Sequence, residues 1–266
     1  LLNEFSIFWK NNNYRFYLNI IRVQQCYIYI IYLMDLLKKI IKKILFNRIV
    51  AKLLIIPSLK LHNLSYYLSS TFARITELGI HPKHSILKYK EWFLKNVNSS
   101  DIVLDIGCQT GLLTVMLASK VKYVYGIEIS KAWLTEAQNN NKLNNIEFIN
   151  GDATLYDYSK LKPISVLTLS NILEHIEKRV EFLTKIINQV NWEDSTEKKI
   201  LIRVPMIDRD WITIYKKNKR IEWRLDKTHF TEYTFNEFQE EMINSNITIL
   251  NYRIQYGEIY AVCTVD

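Results

Sequence analysis

Three carboxylates and two glycines stand where apolar runs end in the middle of the chain. Asp105 opens the spacing Asp-x-Gly-x-x-x-Gly, in which the glycines are Gly107 and Gly111. Glu128 and Asp152 follow the next two apolar runs. A carboxylate attracts a cationic ligand and repels a pyrophosphate. The spacing therefore favours a site for a positively charged nucleoside, built where strand ends expose backbone N–H groups.

The apolar runs predict the elements that hold these residues. Each run is short, ends at a glycine, a proline or a polar residue, and most are separated by helical spacing, which is typical of βαβ units around a parallel sheet. The predicted strands are residues 102–106, 121–127, 146–149, 164–169 and 200–204, with helices at 112–119, 176–190 and 235–243 and a closing hairpin at 247–254 and 258–265.

The stretch around Asp105 resembles the first motif of class I S-adenosylmethionine-dependent methyltransferases. The common family form has a glycine where this chain has Gln109, so the turn must tolerate a side chain there. The run Asn-x-Leu-Glu-His that starts at Asn171 resembles the small-molecule branch of the family, whereas Ser165 stands near a point where many members have an aspartate. The resemblance covers about residues 81–266.

This resemblance implies a Rossmann-like α/β fold with a seven-stranded, mostly parallel sheet, an antiparallel C-terminal hairpin and flanking helices. It also implies S-adenosylmethionine as the cofactor. Glu128 is expected to accept hydrogen bonds from both ribose hydroxyls, and Asp152 from the adenine amino group. The N–H of Ala153 is expected to donate to a ring nitrogen, while Ser170 and Asn171 lie against the methionine moiety. The full expected cofactor set is Asp105, Gly107, Gln109, Gly111, Glu128, Ile129, Asp152, Ala153, Ser170 and Asn171.

Residues 205–233, after the fifth predicted strand, are dense in charged and aromatic side chains. They lie at the carboxyl edge of the sheet, where substrates of such folds bind, so we expect an acceptor pocket there. A hydroxyl acceptor benefits from a general base, for which His229 is the candidate, with Asp226, Asp208 or Glu232 orienting it. His175 is a second histidine that either acts as a base or braces the following helix.

The insertion at 205–233 is similar to those of methyltransferases in bacterial surface-glycan and lipid-linked sugar pathways. The expected activity is transfer of a methyl group to an oxygen, less readily a nitrogen, of a small-molecule, sugar or lipid-linked acceptor. Two alternatives stay open. One is a nicotinamide-dependent oxidoreductase, which Asp105 disfavours, and the other is a non-catalytic cofactor-binding scaffold, which the departures at Gln109 and Ser165 would suit.

Composition limits the partners. The chain has 266 residues, is 48% hydrophobic and carries only three cysteines, which favours a reducing, cytoplasmic setting. Residues 1–99 hold 15 of the 35 basic and 4 of the 27 acidic residues, a net +11, which leaves −3 for residues 100–266. No nucleic acid is expected, because the predicted active face lacks basic character. No metal is expected, because no His/Asp cluster stands at ligand spacing.

We expect residues 1–80 to form a basic, mainly helical extension and the domain proper to span residues 81–266. We expect residues 1–33 to be a disordered or non-native leader, with translation starting at Met34. From Met34 an aliphatic face opposes a lysine face, which suits either packing on the domain or peripheral contact of residues 34–56 with an anionic membrane, at its inner face. Pro57 is expected to end this helix.

Overall fold

The computed structural model of the protein describes residues 28–44, 46–79, 81–194 and 197–265. The chain divides into two compact units, Leu1–His62 and Asn63–Asp266. The predicted leader lies outside the described residues up to residue 27, and residues 28–33 are helical. The predicted domain boundary after residue 80 stays a prediction; the spatial division falls earlier, after His62.

The first unit contains helix α1, residues 28–44, and the start of α2, Arg48–Thr76. The prediction that Pro57 ends the helix is wrong, because α2 continues through it. A proline removes one backbone donor and crowds one carbonyl, and the other turns of this 29-residue helix keep their own bonds. The helical stretch is interrupted before α2, next to Asn47. The Oδ1 of Asn47 accepts hydrogen bonds from the N–H groups of Ile49 and Val50, at 2.9 and 3.4 Å.

The second unit contains one seven-stranded sheet in the order β3-β2-β1-β4-β5-β7-β6. The first five strands are parallel, and β7 runs antiparallel to both β5 and β6, which confirms the predicted fold class. The strands are β1 Ile102–Ile106, β2 Tyr123–Glu128, β3 Ile146–Asn150, β4 Val166–Ser170, β5 Lys199–Pro205, β6 Thr248–Gln255 and β7 Glu258–Thr264.

Both faces of the central strands β1, β4 and β5 are buried, because alternate side chains point to opposite faces and a core cluster covers each face. In β1, Leu104 and Ile106 belong to one core cluster and Val103 to another. The flanking helices and single 3-10 turns are α3 Lys83–Ile86, α4 Tyr89–Lys95, α5 Leu112–Ala118, α6 Lys131–Asn139, Tyr158–Lys160, Leu173–His175, α7 Arg179–Gln189, Ile207–Arg209, α8 Trp211–Asn218 and α9 Phe235–Asn244.

The strand order reverses direction between β1 and β4, which are hydrogen-bonded neighbours. Connections leave these two strands toward opposite sides, so a crevice opens beyond their carboxyl ends. The glycine turn after β1 and the Asn171–His175 run after β4 therefore meet at the same edge. None of the helices within the described ranges combines the length and the hydropathy that crossing a membrane requires.

Candidate functional site

The turn after β1 has little room for side chains at its first glycine. Gly107 has φ +74°, and a Cβ there would lie 2.8 Å from Cδ1 of Ile172, on the segment after β4. Gln109 also has a positive φ, +48°, which explains why a glycine is the common family residue at this position. The turn thus tolerates one side chain and excludes another, and it leaves a narrow, backbone-lined edge for a ligand.

Asp105 is buried beneath this turn. Its two carboxylate oxygens accept hydrogen bonds from the hydroxyls of Thr114 and Thr168, each at 2.7 Å. Burial raises the pKa of Asp105 to about 6, against the two threonine bonds, which lower it. Because Asp105 is only 2% exposed, it acts on a cation mainly through its electrostatic field rather than by direct contact.

Glu128 at the end of β2 braces the neighbouring turn. Its Oε2 accepts the N–H of Gln109 at 3.0 Å, and its Oε1 accepts the N–H of Ser130 at 2.8 Å. Each carboxylate oxygen can accept two hydrogen bonds, so one position on each stays available to ribose hydroxyls. Ile129, which follows, is 66% exposed and presents an apolar surface beside this carboxylate.

The remaining cofactor residues stand at the ends of β3 and β4. Oδ1 of Asp152 accepts both the N–H and the hydroxyl of Thr154, at 2.8 and 2.7 Å, so it fixes the local turn that contains Ala153. Ser170 is the last residue of β4. Asn171 has φ +55°, and its Oδ1 is buried with no hydrogen-bond partner from the described residues, so it could accept a bond from a ligand.

The structure pairs His229 with one of its three predicted orienters. Nδ1 of His229 lies 2.9 Å from Oε1 of Glu232, and both side chains are buried. Glu232 also accepts bonds from Arg209 and from the N–H of Leu225, which fixes it within the insertion. A carboxylate only accepts, so Nδ1 of His229 carries a proton, and in the neutral ring Nε2 is the nitrogen with the free lone pair.

Asp226 supports the other histidine instead. Its Oδ1 accepts the hydroxyl of Thr228 at 2.8 Å, and that hydroxyl oxygen lies 3.0 Å from Nδ1 of His175. The rings of His175 and His229 stand 4.7 Å apart, nearly perpendicular. Asp208 is exposed on the 3-10 turn Ile207–Arg209. Of the predicted orienters, then, Glu232 contacts His229 and Asp226 supports His175.

The sequence predicted no role for Glu174, although it lies in the Leu-Glu-His run. Its side chain is fully buried, and neither carboxylate oxygen has a hydrogen-bond partner among the residues that the structure describes. Burial raises its pKa to about 8, with Arg203 opposing the shift and Glu258 and Glu232 adding to it. Its backbone carbonyl accepts the N–H of Phe230 at 2.7 Å, which ties the run to the insertion.

Arg203 and Glu258 form a second feature that sequence reasoning missed. The guanidinium of Arg203 binds both carboxylate oxygens of Glu258, at 2.6 and 2.7 Å, in the buried sheet. Arg203 pairs in register with Ser170, and the ring of Tyr89 covers its guanidinium at 4.1 Å. A charged residue inside an otherwise apolar strand run was the signal, because an arginine is rarely buried unless it is paired.

The insertion also borders a cavity of about 340 Å³ in the second unit. Its walls come from residues 217–230, which carry both cationic and aromatic side chains. The lining residues are Lys217, Arg220, Ile221, Glu222, Trp223, Arg224 and Phe230. The predicted acceptor region therefore contains a concave, partly basic surface next to His229.

Comparison with known proteins identifies the central part of the chain. Residues 103–191 match a family model described as a methyltransferase domain. An uncharacterized protein of Methanocaldococcus jannaschii is 32% identical over 104 residues, which are 38% of this chain and 40% of that protein. An uncharacterized RNA methyltransferase of Halalkalibacterium halodurans is 32% identical over 78 residues, 28% of this chain and 17% of its own length. The matched segments thus span less than half of these relatives.

A solved structure shares the fold of the second unit. Magnesium protoporphyrin IX methyltransferase from Synechocystis, crystallised with SAH, superposes with a TM-score of 0.52 at 15% identity, covering 69% of this chain and 83% of that one. The family match agrees with the predicted methyltransferase domain over residues 103–191, and the solved structure that shares the fold holds SAH. The named acceptors of the relatives differ from one another, an RNA in one case and a porphyrin in another.

Proposed function

We propose that this chain, whose residues 103–191 form a methyltransferase domain, transfers a methyl group from S-adenosylmethionine to an oxygen of a small-molecule acceptor, such as a sugar or lipid-linked sugar. The observation that carries the proposal is the edge between β1, β2 and β4. There a glycine turn, in which Gly107 has a positive φ and packs closely against Ile172, stands beside a buried aspartate and a glutamate held by two backbone N–H groups.

The residues present fit the cofactor. Glu128 has free acceptor positions for ribose hydroxyls, Asn171 has an unpartnered Oδ1 for the methionine end, and Asp105 supplies negative charge below the turn. The bound sulfonium supplies an electrophilic methyl group. The chain's part is to hold the acceptor atom in line with it, about 3 Å away, which converts a bimolecular displacement into a far more probable unimolecular one.

On the acceptor side we propose that His229 meets the acceptor hydroxyl. Its Nε2 is bare, its Nδ1–H is held by Glu232, and Phe230 beside it lines the cavity in the insertion. This arrangement is what a base that accepts a hydroxyl proton requires. The mixed cationic and aromatic lining of the cavity supports an acceptor with an anionic or sugar portion, since cations bind phosphate and aromatic faces stack on planar or sugar surfaces.

Two measurements test this function. Titration calorimetry of the full chain should show binding of S-adenosylhomocysteine and none of NAD, because Asp105 disfavours a pyrophosphate. Binding of NAD instead would restore the oxidoreductase alternative. With methyl-labelled S-adenosylmethionine, label should then appear in polar or lipid-linked sugar fractions. Label recovered in RNA would overturn the proposed acceptor class, and no labelled product in any fraction would favour the non-catalytic scaffold.

We also propose that residues 34–56 contact an anionic membrane surface, which would place the enzyme in the cytoplasm at the inner face. In α1 the side chains of Leu36, Leu37, Ile40, Ile41 and Ile44 are 42–52% exposed and lie on one side of the helix. Four lysines, at positions 38, 39, 42 and 43, lie on the other side. An apolar face opposite a cationic face suits the lipid headgroup boundary.

Vesicle co-sedimentation tests the membrane contact. The chain should sediment with vesicles containing phosphatidylserine and not with pure phosphatidylcholine, and Lys39→Glu with Lys43→Glu should abolish the binding because each lysine adds about 1 kcal/mol. The matched control is the same double change at Lys88 and Lys95 of the second unit. Equal sedimentation with both lipids, or none with either, would contradict the proposal.

A further inference from the structure

Three electron-pair donors meet beside the cofactor edge and are not used by the cofactor site. Glu174, His175 and His229 each place one possible ligand atom so that all three atoms lie within 4.8 Å of one another. Glu174 and His175 follow β4, and His229 comes from the insertion. The tertiary fold thus assembles the cluster from two segments that are distant in sequence.

Hydrogen bonds set both histidines in the same tautomer. Glu232 accepts from Nδ1 of His229, as described above, so that ring has a bare Nε2. Thr228 must donate its only hydroxyl proton to the carboxylate of Asp226, so its oxygen accepts from Nδ1 of His175. The Nε2 of His175 is therefore bare as well. Metal-binding histidines are oriented in this way, with the second ring nitrogen donating to a carboxylate or a hydroxyl.

The third member of the cluster is a carboxylate that no donor satisfies. Both oxygens of Glu174 are buried and neither has a hydrogen-bond partner within the described part of the chain. Buried polar groups are almost always paired, because desolvation without a partner is costly. A divalent cation between the three groups would bind the lone pairs of both imidazole nitrogens and the buried carboxylate together.

We propose that Glu174, His175 and His229 bind a divalent first-row transition-metal ion. Two imidazoles and one carboxylate are the donor set of open catalytic sites for zinc and for non-haem iron. Such ions lie about 2.1 Å from each ligand, so two ligand atoms of one ion stand at most about 4.2 Å apart. The observed limit of 4.8 Å needs a contraction of about half an ångström.

The inference rests on the proposed methyl transfer and changes one detail of it. His229 then ligates a cation instead of accepting the proton itself. A divalent cation with an open position lowers the pKa of a hydroxyl that reaches it. The acceptor O–H bond then breaks with its proton leaving to solvent, the new O–C bond forms, and the S–C bond breaks to give a neutral thioether. The acceptor class is accordingly an alcohol rather than an amine.

The test uses the full chain after treatment with a chelator. Calorimetric titration with Zn²⁺ should give one ion per chain, and Glu174→Gln should weaken the affinity at least 100-fold while keeping the shape of the side chain. Glu240→Gln, an exposed carboxylate on α9, is the matched control and should bind as the wild type does. Glu174→Gln should also unfold at a temperature no lower than that of the metal-free wild type, because it removes an unpaired buried acid.

A second variant tests the positioning residue. Asp226→Asn removes the charge that fixes the Thr228 hydroxyl, and loss of such outer partners weakens metal binding by about 10- to 100-fold. With Co²⁺ as the probe, the visible absorption of the bound ion should shift in this variant, whereas a purely structural role for Asp226 would leave the spectrum unchanged.

S-adenosylhomocysteine binding by the metal-free chain separates this inference from the proposed function. If that ligand binds and Zn²⁺ does not, or if Zn²⁺ binds equally to wild type and Glu174→Gln, the metal site is refuted and the methyltransferase proposal stands. If Glu174→Gln weakens S-adenosylhomocysteine in the absence of metal, Glu174 holds the cofactor ammonium and the metal site is likewise refuted. If Zn²⁺ binds as expected and S-adenosylhomocysteine does not, the proposed function fails instead.

Discussion

The two sides of the crevice differ in how their buried acids are satisfied. On the cofactor side, Asp105 accepts from two threonine hydroxyls and Glu128 from two backbone N–H groups. On the acceptor side, neither oxygen of Glu174 has a hydrogen-bond partner in the described ranges of the chain. The first side is therefore preorganised by the fold itself, whereas the second holds a charge or a proton that only a ligand can satisfy.

This difference teaches which variants separate binding from turnover. Removal of a carboxylate on the cofactor side should alter ligand affinity and stability together, because the same bonds hold the turn and the ligand. Changes on the acceptor side should alter turnover and leave the cofactor affinity unchanged. An acceptor-side variant that weakens cofactor binding would contradict this distinction between the two sides.

The largest effect is expected for His229→Ala. Loss of the bare Nε2 should lower turnover by about 100-fold or more, because a positioned base or ligand group contributes that much. The dissociation constant of S-adenosylhomocysteine should stay within about threefold of the wild type. Label transfer and calorimetry on the same sample measure both quantities. Turnover that survives within about threefold would remove His229 from the acceptor site.

The next effect is expected for Glu128→Ala. The change removes the acceptors of the ribose hydroxyls. A hydrogen bond to a charged group contributes about 1.5–3 kcal/mol, so loss of one such bond should lower S-adenosylhomocysteine affinity by about 10- to 100-fold. Calorimetry measures the affinity and urea denaturation the stability, which should fall by about 1–3 kcal/mol because two N–H groups lose their acceptor. Glu136→Ala, exposed on α6, is the control. Unchanged S-adenosylhomocysteine affinity would contradict the assignment of Glu128 as the acceptor of the ribose hydroxyls.

A smaller and pH-dependent effect is expected for Asp105→Asn. The pKa of Asp105, about 6, lies above its unfolded value of 3.8, so the protonated form stabilises the native state below pH 3.8 and that stability is lost as the pH rises through 6. Asp105→Asn should therefore be more stable than the wild type at pH 7.5, by at most about 3 kcal/mol, with the difference vanishing near pH 4.

Cofactor binding should also depend on the ionisation of Asp105, but here the charged form is favoured, whereas protein stability favours the protonated form. The affinity of the wild type for S-adenosylmethionine should rise between pH 5 and pH 7, because the charged carboxylate attracts the cationic ligand, and should be flat in Asp105→Asn. Denaturant titrations and calorimetry at the two pH values give both curves. A pH-independent affinity in the wild type would mean that Asp105 only braces the threonines.

The smallest effect is expected for Gln109→Gly. Relief of the left-handed conformation at φ +48° should stabilise the chain by about 1 kcal/mol and leave cofactor affinity unchanged. Thr110, the next residue, does not have a positive φ, so Thr110→Gly should instead destabilise the chain. Thermal unfolding of the pair measures the difference, and destabilisation by both variants would show that the Gln109 side chain makes a contribution of its own.

Much of the second unit could be predicted from local pattern. The strand Ile102–Ile106 was predicted with its observed bounds, and the hairpin Thr248–Gln255 with Glu258–Thr264 within one residue at each end. Apolar runs bounded by glycine or proline are local signals, so strand ends could be read along the chain. The same local rules were wrong at Pro57, because a long helix can accommodate a proline that these rules place at a helix end.

The acceptor side was less predictable. His229 and Glu232 were named from residue type, but which carboxylate orients which histidine depends on side-chain geometry: Glu232 contacts His229, and Asp226 supports His175 through Thr228. The expectation of no metal rested on spacing along the chain, and the cluster of Glu174, His175 and His229 forms across segments that spacing does not connect.

The sequence by itself determined the order of the strands along the chain and the polar residues at their ends, because strand period and turn chemistry are local properties. Only the tertiary structure decided which of those side chains are satisfied and which are not. Hydrogen bonding of a buried carboxylate depends on groups brought together from distant segments. Glu128 and Glu174 are both glutamates near the carboxyl end of a strand. In the fold, backbone N–H groups bind Glu128, whereas no group of the described residues binds the carboxylate of Glu174.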